Sequence, residues 1–207
     1  MSRALFEQSG QWDDGSSEDG RTNGLRAPID NSGFVFFISL AVDWMLFAGL
    51  VGAYFVLRSG AQSWPPPDLP RLDTPLALRS TISLALASIF LTVTVISQNR
   101  NALKTMQASL VMAFVFLAAF LTFNCIEWKS LLTNAVPART VFGGIYFIIT
   151  GVFHIHIAAC ATYILAKLRR ILRWQRYTRS AVSFMRLSYF VYAMLSVWLG
   201  IFFVIYL

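Results

Sequence analysis

Two histidines, His154 and His156, stand in an otherwise apolar run, YFIITGVFHIHIAACATYIL, and one aspartate, Asp43, interrupts another, VDWMLFAGLVGAYFVLR. A third apolar run ends FLTFNCIEWKSLL and carries Asn124 and Glu127. Carboxyl and imidazole groups are the side chains best suited to exchange protons near neutrality, and imidazole also binds metals. A charged acid at the centre of a membrane helix costs about 2.5–3.5 kcal/mol on insertion scales. Asp43 is therefore expected to face protein rather than lipid, holding a proton or a hydrogen-bond partner. The histidines are two residues apart, and on a helix they point about 200° apart, so they cannot close on one ion. Neutral, hydrogen-bonded structural histidines are the default reading. No catalytic, cofactor-binding or metal-ligating residue is assigned.

The elements that must position these groups are membrane spans. The chain has 207 residues, of which 57% are hydrophobic and 13% charged. Soluble domains carry about 25% charged residues. A bilayer core of about 30 Å needs about 20 apolar residues per helix, and five stretches satisfy this: Gly33–Leu57, Pro75–Ile96, Gln107–Ile126, Val141–Ala166 and Ala181–Leu207. The expected architecture is an all-α integral membrane bundle of five transmembrane helices, one domain over residues 33–207. Residues 1–32 are rich in Gly, Ser, Asp and Glu and read as a flexible cytoplasmic tail. The first apolar run is too long for the core of a cleaved leader, so none is expected. Cys125 and Cys160 fall inside predicted spans and read as packing thiols.

The net charge of +7 is placed for topology rather than for nucleic acid. Lys167, Arg169, Arg170, Arg173, Arg176 and Arg179 share one predicted loop; Arg3, Arg21 and Arg26 lie in the tail, and Arg100 and Lys104 in the second loop. The opposite side holds Arg58, Arg71, Lys129 and Arg139. The positive-inside rule gives N-in/C-out, with the basic segment meeting anionic head groups or a partner. The first external loop is stiffened by Pro65, Pro66, Pro67, Pro70 and Pro75, and Trp64 is expected at the membrane interface.

Faces follow from 100° per residue. On the first helix Ala48, Gly49, Gly52 and Ala53 form a small-residue patch about 150° from Asp43. Such patches admit close helix approach, so this helix wants protein on two nearly opposite sides, which points to a larger complex. Asn124 and Glu127 share a face of the third helix, with Glu127 expected near the outer boundary, within reach of water and beside an anchoring Trp128. His154 shares a face with Gly144, Gly151, Ala158 and Ala161, and His156 one with Ile145, Ile149 and Tyr163. No P-loop, CxxC pair or GxSxG occurs, and two histidines cannot hold a haem and a copper.

Four of these segments, taken in order, resemble subunit III of the haem-copper oxidase superfamily over residues 33–207. VDWMLFAGLVGAYFVLR resembles that family's acid-bearing helix, with Asp43 where the family has a buried glutamate. WPPPDLPRL before LRSTISLALAS resembles its Pro-rich loop and next helix. FLTFNCIEW follows the Phe-Leu-x-x-Gln-x-x-Glu-Trp/Tyr pattern, with Asn124 for Gln and Glu127 retained. YFIITGVFHIHI resembles the Thr-Gly-Phe-His-Gly-x-His signature, retaining Thr150, Gly151 and His156; Phe153 stands where the first histidine is expected and His154 takes the neighbouring Gly position. In the last helix Trp198 is retained, while Tyr192 and Leu195 align with a His and an Asp. Five spans resemble the short form of the family, which lacks the first two of seven helices.

The resemblance implies a non-redox subunit of a terminal oxidase in aerobic respiratory electron transport, in the inner (plasma) membrane of a bacterium. It implies haems and copper in the partner catalytic subunit I, contacts with other oxidase subunits and membrane lipids, and bound phospholipid. It also implies support of the partner's stability and of proton or oxygen access. Asp43 would sit within the bundle, paired with His156. Three further readings stand beside it: a nitric-oxide-reductase accessory subunit of the same fold, a small proton-coupled transporter, and an assembly scaffold.

Overall fold

Apolar surroundings offer no partner for backbone N–H and C=O groups, so a spanning chain must satisfy them within helices. The computed structural model describes residues 31–64, 66, 72–133, 140–174 and 181–206. They form α1 (Asn31–Ser59), α2 (Thr74–Asn99), α3 (Leu103–Thr133), α4 (Val141–Trp174) and α5 (Ala181–Tyr206). All five are long and apolar enough to cross a membrane, and no strand occurs among the described residues. Two compact units divide the chain, residues 1–35 and 36–207. Of the first, residues 31–35 are described, and they begin α1.

Several helices overrun their expected ends. α3 starts at Leu103 and runs to Thr133, and α4 runs to Trp174. Lys167, Arg169, Arg170 and Arg173 therefore belong to the last turns of α4 rather than to a loop. Lysine and arginine are strong helix formers, and cations are favoured at a helix C-terminus, so the helix need not stop where hydropathy does. Arg176, Arg179, Arg139, the tail before residue 31, and Pro65 and residues 67–71 of the proline-rich loop lie outside the described residues.

α2 starts on Asp73, whose side chain accepts from the Leu76 N–H at 3.1 Å, with Pro75 in the first turn. It stops on Asn101, which takes φ 55°. Ala102 N–H then reaches the Ser97 carbonyl and Asn101 N–H the Gln98 carbonyl, a closure that ends the helix and admits asparagine at its left-handed residue. So short a link lays α3 antiparallel against α2. The buried stripe of α2 includes Ala77, Ser80, Thr81, Leu84, Ala87, Ser88, Leu91 and Thr94. Its small residues let the two helices approach closely, and its hydroxyls bond back to their own helix, as Ser88 does to the Leu84 carbonyl. Thr94 also meets Ser109 of α3 at 2.8 Å.

α2 lies against α3 and α5, and α4 lies against the same two, so α2 to α5 close into a ring. Phe120, Phe153 and Trp198 fill its centre, all fully buried, with Phe120 and Phe153 each packed on the Trp198 ring at 5.0 Å. The Trp198 indole N–H donates to Thr81 Oγ1 at 2.9 Å, tying α5 to α2.

α1 is held differently. Among the described residues from Phe36 onward, no Cα of α1 comes within 8 Å of a Cα of another helix. Long side chains bridge the gap, with only Phe47 and Tyr54 buried. Phe47 meets Phe153 and His156 edge-on, at 5.8 and 5.7 Å. Tyr54 accepts a hydrogen bond from the Trp64 indole at 2.9 Å, and Trp64 packs on Phe142 at 5.2 Å. Trp64, expected at the membrane interface, is half-buried in protein and clasps α1 to the start of α4. On the other side of α1, a Cβ placed on Gly49 or Gly52 would meet no atom within 4 Å. Cys125 and Cys160 are both free thiols, the first exposed and the second buried.

Thr81→Val keeps the shape at the α2–α5 tie but removes the acceptor for Trp198. It is expected to lower bundle stability by about 1 kcal/mol, the scale of such bonds inside membranes. Thr81→Ser should restore most of the loss, both read by reversible unfolding in bicelles.

Candidate functional site

The two histidines of α4 are oriented by their own helix. His156 Nδ1 lies 2.8 Å from the Val152 carbonyl oxygen, and His154 Nδ1 makes the same contact with the Thr150 carbonyl. A carbonyl oxygen only accepts, so each Nδ1 carries a hydrogen and each neutral ring presents a lone pair at Nε2. The helical twist then sends the two Nε2 atoms to different neighbours.

His156 faces α1. Its Nε2 lies 3.3 Å from Asp43 Oδ1, with side-chain exposures of 23% and 19% for the histidine and the acid. With Nδ1 already committed, Nε2 is the ring atom left to meet the Asp43 carboxyl. Phe47 covers the ring edge-on and Phe190 of α5 stacks on it at 6.4 Å. Beside the pair, a cavity of ≈ 450 Å³ is lined by Phe36, His156, Cys160, Tyr163, Arg186 and Phe190, among others. At its rim the Tyr163 hydroxyl meets that of Ser183, and Lys167 Nζ sits 5.3 Å from the centre of the Tyr163 ring.

His154 faces α3. Its ring packs on Trp128 at 5.1 Å and on Phe120 at 6.0 Å. The Trp128 indole donates to Thr150 Oγ1 at 3.2 Å, and that hydroxyl donates to the Tyr146 carbonyl at 2.7 Å. A Cβ on Gly151 would lie 3.4 Å from Trp128 Cη2, so the glycine seats the indole on α4. Asn124 and Glu127 are both only 2% exposed. The Asn124 amide donates to the Phe120 carbonyl at 2.8 Å. Glu127 Oε2 accepts from the Tyr206 hydroxyl at 2.7 Å, and the Tyr206 and Tyr146 hydroxyls lie 3.1 Å apart.

Glu127 is thus enclosed by protein rather than open to water. α3 continues past the expected boundary, and the ends of α4 and α5 cover the carboxyl with tyrosines. The Trp128 indole, expected as a membrane anchor, is tied to Thr150. Tyr146 and Tyr206 went unnoticed in the sequence, because a tyrosine near the end of a span carries the same signal whether it meets head groups or a buried acid. The singled-out residues therefore fall into two groups. Asp43 and His156 meet between α1 and α4, while Asn124, Glu127, Thr150, Gly151 and His154 gather between α3 and α4. Phe153, at the first signature position, points to the ring centre among Phe47, Phe120 and Trp198. An aromatic hydrocarbon fits there without an unpaired polar atom. Among the described residues, no group of three or more His, Cys, Asp or Glu could hold a metal ion.

A family model for cytochrome c oxidase subunit III matches residues 8–207. The chain is 28% identical over 173 residues to the cytochrome c oxidase subunit 3 of Corynebacterium diphtheriae, covering 82% of this chain and 84% of that protein. It is 27% identical over 181 residues to the cytochrome bo(3) ubiquinol oxidase subunit 3 of Pseudomonas aeruginosa, covering 86% and 85%. The cytochrome bo(3) ubiquinol oxidase subunit 3 of Buchnera aphidicola is 25% identical over 179 residues, covering 86% and 94%.

The Asp43–His156 contact between α1 and α4 predicts non-additive substitutions. Asp43→Asn and His156→Phe should each destabilise the bundle. The double variant should lose less than the sum, with a coupling of about 1 kcal/mol on the scale of membrane double-mutant cycles. Reversible unfolding of the four proteins measures it; additive losses would mean that the contact carries no energy.

Proposed function

The chain belongs to the cytochrome c oxidase subunit III family, and from that membership we propose that it is the five-helix, non-redox subunit III of a haem-copper terminal oxidase. In this reading it lies in the inner membrane of a bacterium with its N-terminus inside and its C-terminus outside. The haems and copper reside in subunit I. The chain supports the persistence of subunit I activity through turnover and its proton and oxygen access, within an enzyme that couples oxygen reduction to proton translocation.

The observation that carries this reading is the two-faced α1. One face reaches the bundle through long side chains such as Phe47 and Tyr54 and through the Asp43–His156 pair. The other is broadly uncovered, with Val42, Met45 and Val56 exposed, and Gly49 and Gly52 open to close approach. A helix so lightly held by its own chain and so smooth on its outer side suits a neighbouring transmembrane helix. Subunit I is the neighbour assigned here. The cavity between α1, α4 and α5 suits a phospholipid: its walls are mainly apolar, while Arg186 and the nearby Lys167 provide cations for a phosphate.

Purification in mild detergent is expected to bring down a haem-bearing chain with this one. Gly52→Leu adds bulk only to the uncovered face. The chain should remain folded while recovery of the haem-bearing partner falls roughly tenfold, the effect of about 1.4 kcal/mol of overpacking. Asp43→Asn should leave assembly intact but hasten the loss of oxygen consumption during sustained turnover. If the native chain purifies alone, without any haem absorption, the reading fails and a self-sufficient transporter takes its place.

A further inference from the structure

Among the described residues of α3 and α4, three buried polar atoms have no hydrogen-bond partner: Asn124 Oδ1, Glu127 Oε1 and His154 Nε2. Their placement is set by contacts already described. On α3, Asn124 lies one turn from Phe120 and one turn from Trp128, and the His154 ring packs on both. The imidazole therefore crosses α3 at the turn that carries Asn124, and Glu127 follows three residues later on the same face.

The chemistry of the three ends is constrained. The Asn124 amide nitrogen is committed to the Phe120 carbonyl, so its oxygen is the free end and can only accept. His154 Nδ1 is committed to the Thr150 carbonyl, so neutral Nε2 also accepts. Glu127 Oε2 already receives the Tyr206 hydroxyl, so Oε1 is its free end. The groups facing that carboxyl are Tyr206 of α5 and Tyr146 of α4, with Asp73 close enough to act on it electrostatically. An unpaired buried acceptor costs about 1–3 kcal/mol, and a seam lined by three of them needs donors.

We propose that the α3–α4 seam is a binding site for one buried water, which joins Glu127 to His154 and Asn124 and shares a single proton with them. The count closes. A protonated Glu127 donates its O–H to the water, and the two water hydrogens go to Asn124 Oδ1 and His154 Nε2. One water and one proton satisfy all three atoms, and buried waters commonly make about three such bonds. The proton can also cross. The Glu127 O–H bond breaks as a new O–H bond forms on the water, while one of the water's own O–H bonds breaks as Nε2–H forms. The carboxylate then accepts from the water, and net charge is unchanged. The seam becomes a water-bridged counterpart of the direct Asp43–His156 pair, on the opposite side of α4.

The test is infrared difference spectroscopy of the full chain in membranes with its native partners, perfused alternately with ordinary and heavy-oxygen water. A water O–H stretch should shift with the isotope in the native protein and be absent in Asn124→Leu and in His154→Phe. A protonated-carboxyl C=O stretch should vanish in Glu127→Gln and move in Asn124→Leu. Should Asn124→Leu fail to assemble, Asn124→Gln serves: its longer amide occupies the water's place, so the water band should be lost while the carboxyl band moves. Isotope-sensitive water bands left unchanged by the Asn124 and His154 substitutions, or the lack of any protonated carboxyl band removed by Glu127→Gln, would overturn the proposal.

Discussion

Each α4 histidine spends Nδ1 on the carbonyl one turn back, and much of the remaining chemistry follows from that bond. It pins the imidazole against its own helix and fixes the tautomer. The outward Nε2 becomes an acceptor that must find a hydrogen in surroundings with none to spare. His156 meets Asp43. The acid that would be costly alone and the lone pair that would be unsatisfied alone form one unit. That unit is also among the few links between α1 and the bundle, so a membrane-embedded carboxyl serves the attachment of a helix rather than opposing its insertion.

The ring of α2 to α5 provides the rigid frame on which this depends. Its centre is aromatic, and its α2–α3 contact is lined by alanine and hydroxyl residues whose polar atoms bond back to their own helix. Backbones can then approach without stranding a hydroxyl in an apolar interior. α1 follows a different logic. It stands off on long side chains, leaves a cavity beside the histidine–aspartate pair, and presents glycines outward. A helix with strong internal ties would have little reason to keep a smooth, glycine-bearing outer face. For a subunit that works beside a larger enzyme, this gives an adaptable edge on a stiff body.

The two polar clusters lie on different sides of α4, and Phe153 separates them. It packs on Phe47 of α1, on Phe120 of α3 and on Trp198 of α5. A histidine at this position would introduce polar nitrogens between the two clusters. The phenylalanine keeps that layer apolar, so the Asp43–His156 contact and the Glu127–Tyr206 contact stay on separate sides of α4.

Composition and periodicity alone determined the five spans, their order, the opposite directions of His154 and His156, and the separation of Asp43 from the small-residue patch of α1. These follow from local rules: the length of an apolar run and 100° of turn per residue. The family resemblance was legible too, since its motifs are short and contiguous. Only the tertiary structure decided where helices end, because lysine and arginine continue a helix beyond the hydropathy signal, as the last turns of α4 do. Only it showed that Glu127 is enclosed, since the tyrosines covering it come from the ends of α4 and α5, far away in the chain. The Asp43–His156 contact required it as well. A sequence can say that a buried acid needs a partner, but which of two imidazoles stands within 3.3 Å depends on how α1 leans on α4, and that is set by the packing of Phe47, Tyr54 and Trp64 across a gap no local pattern records.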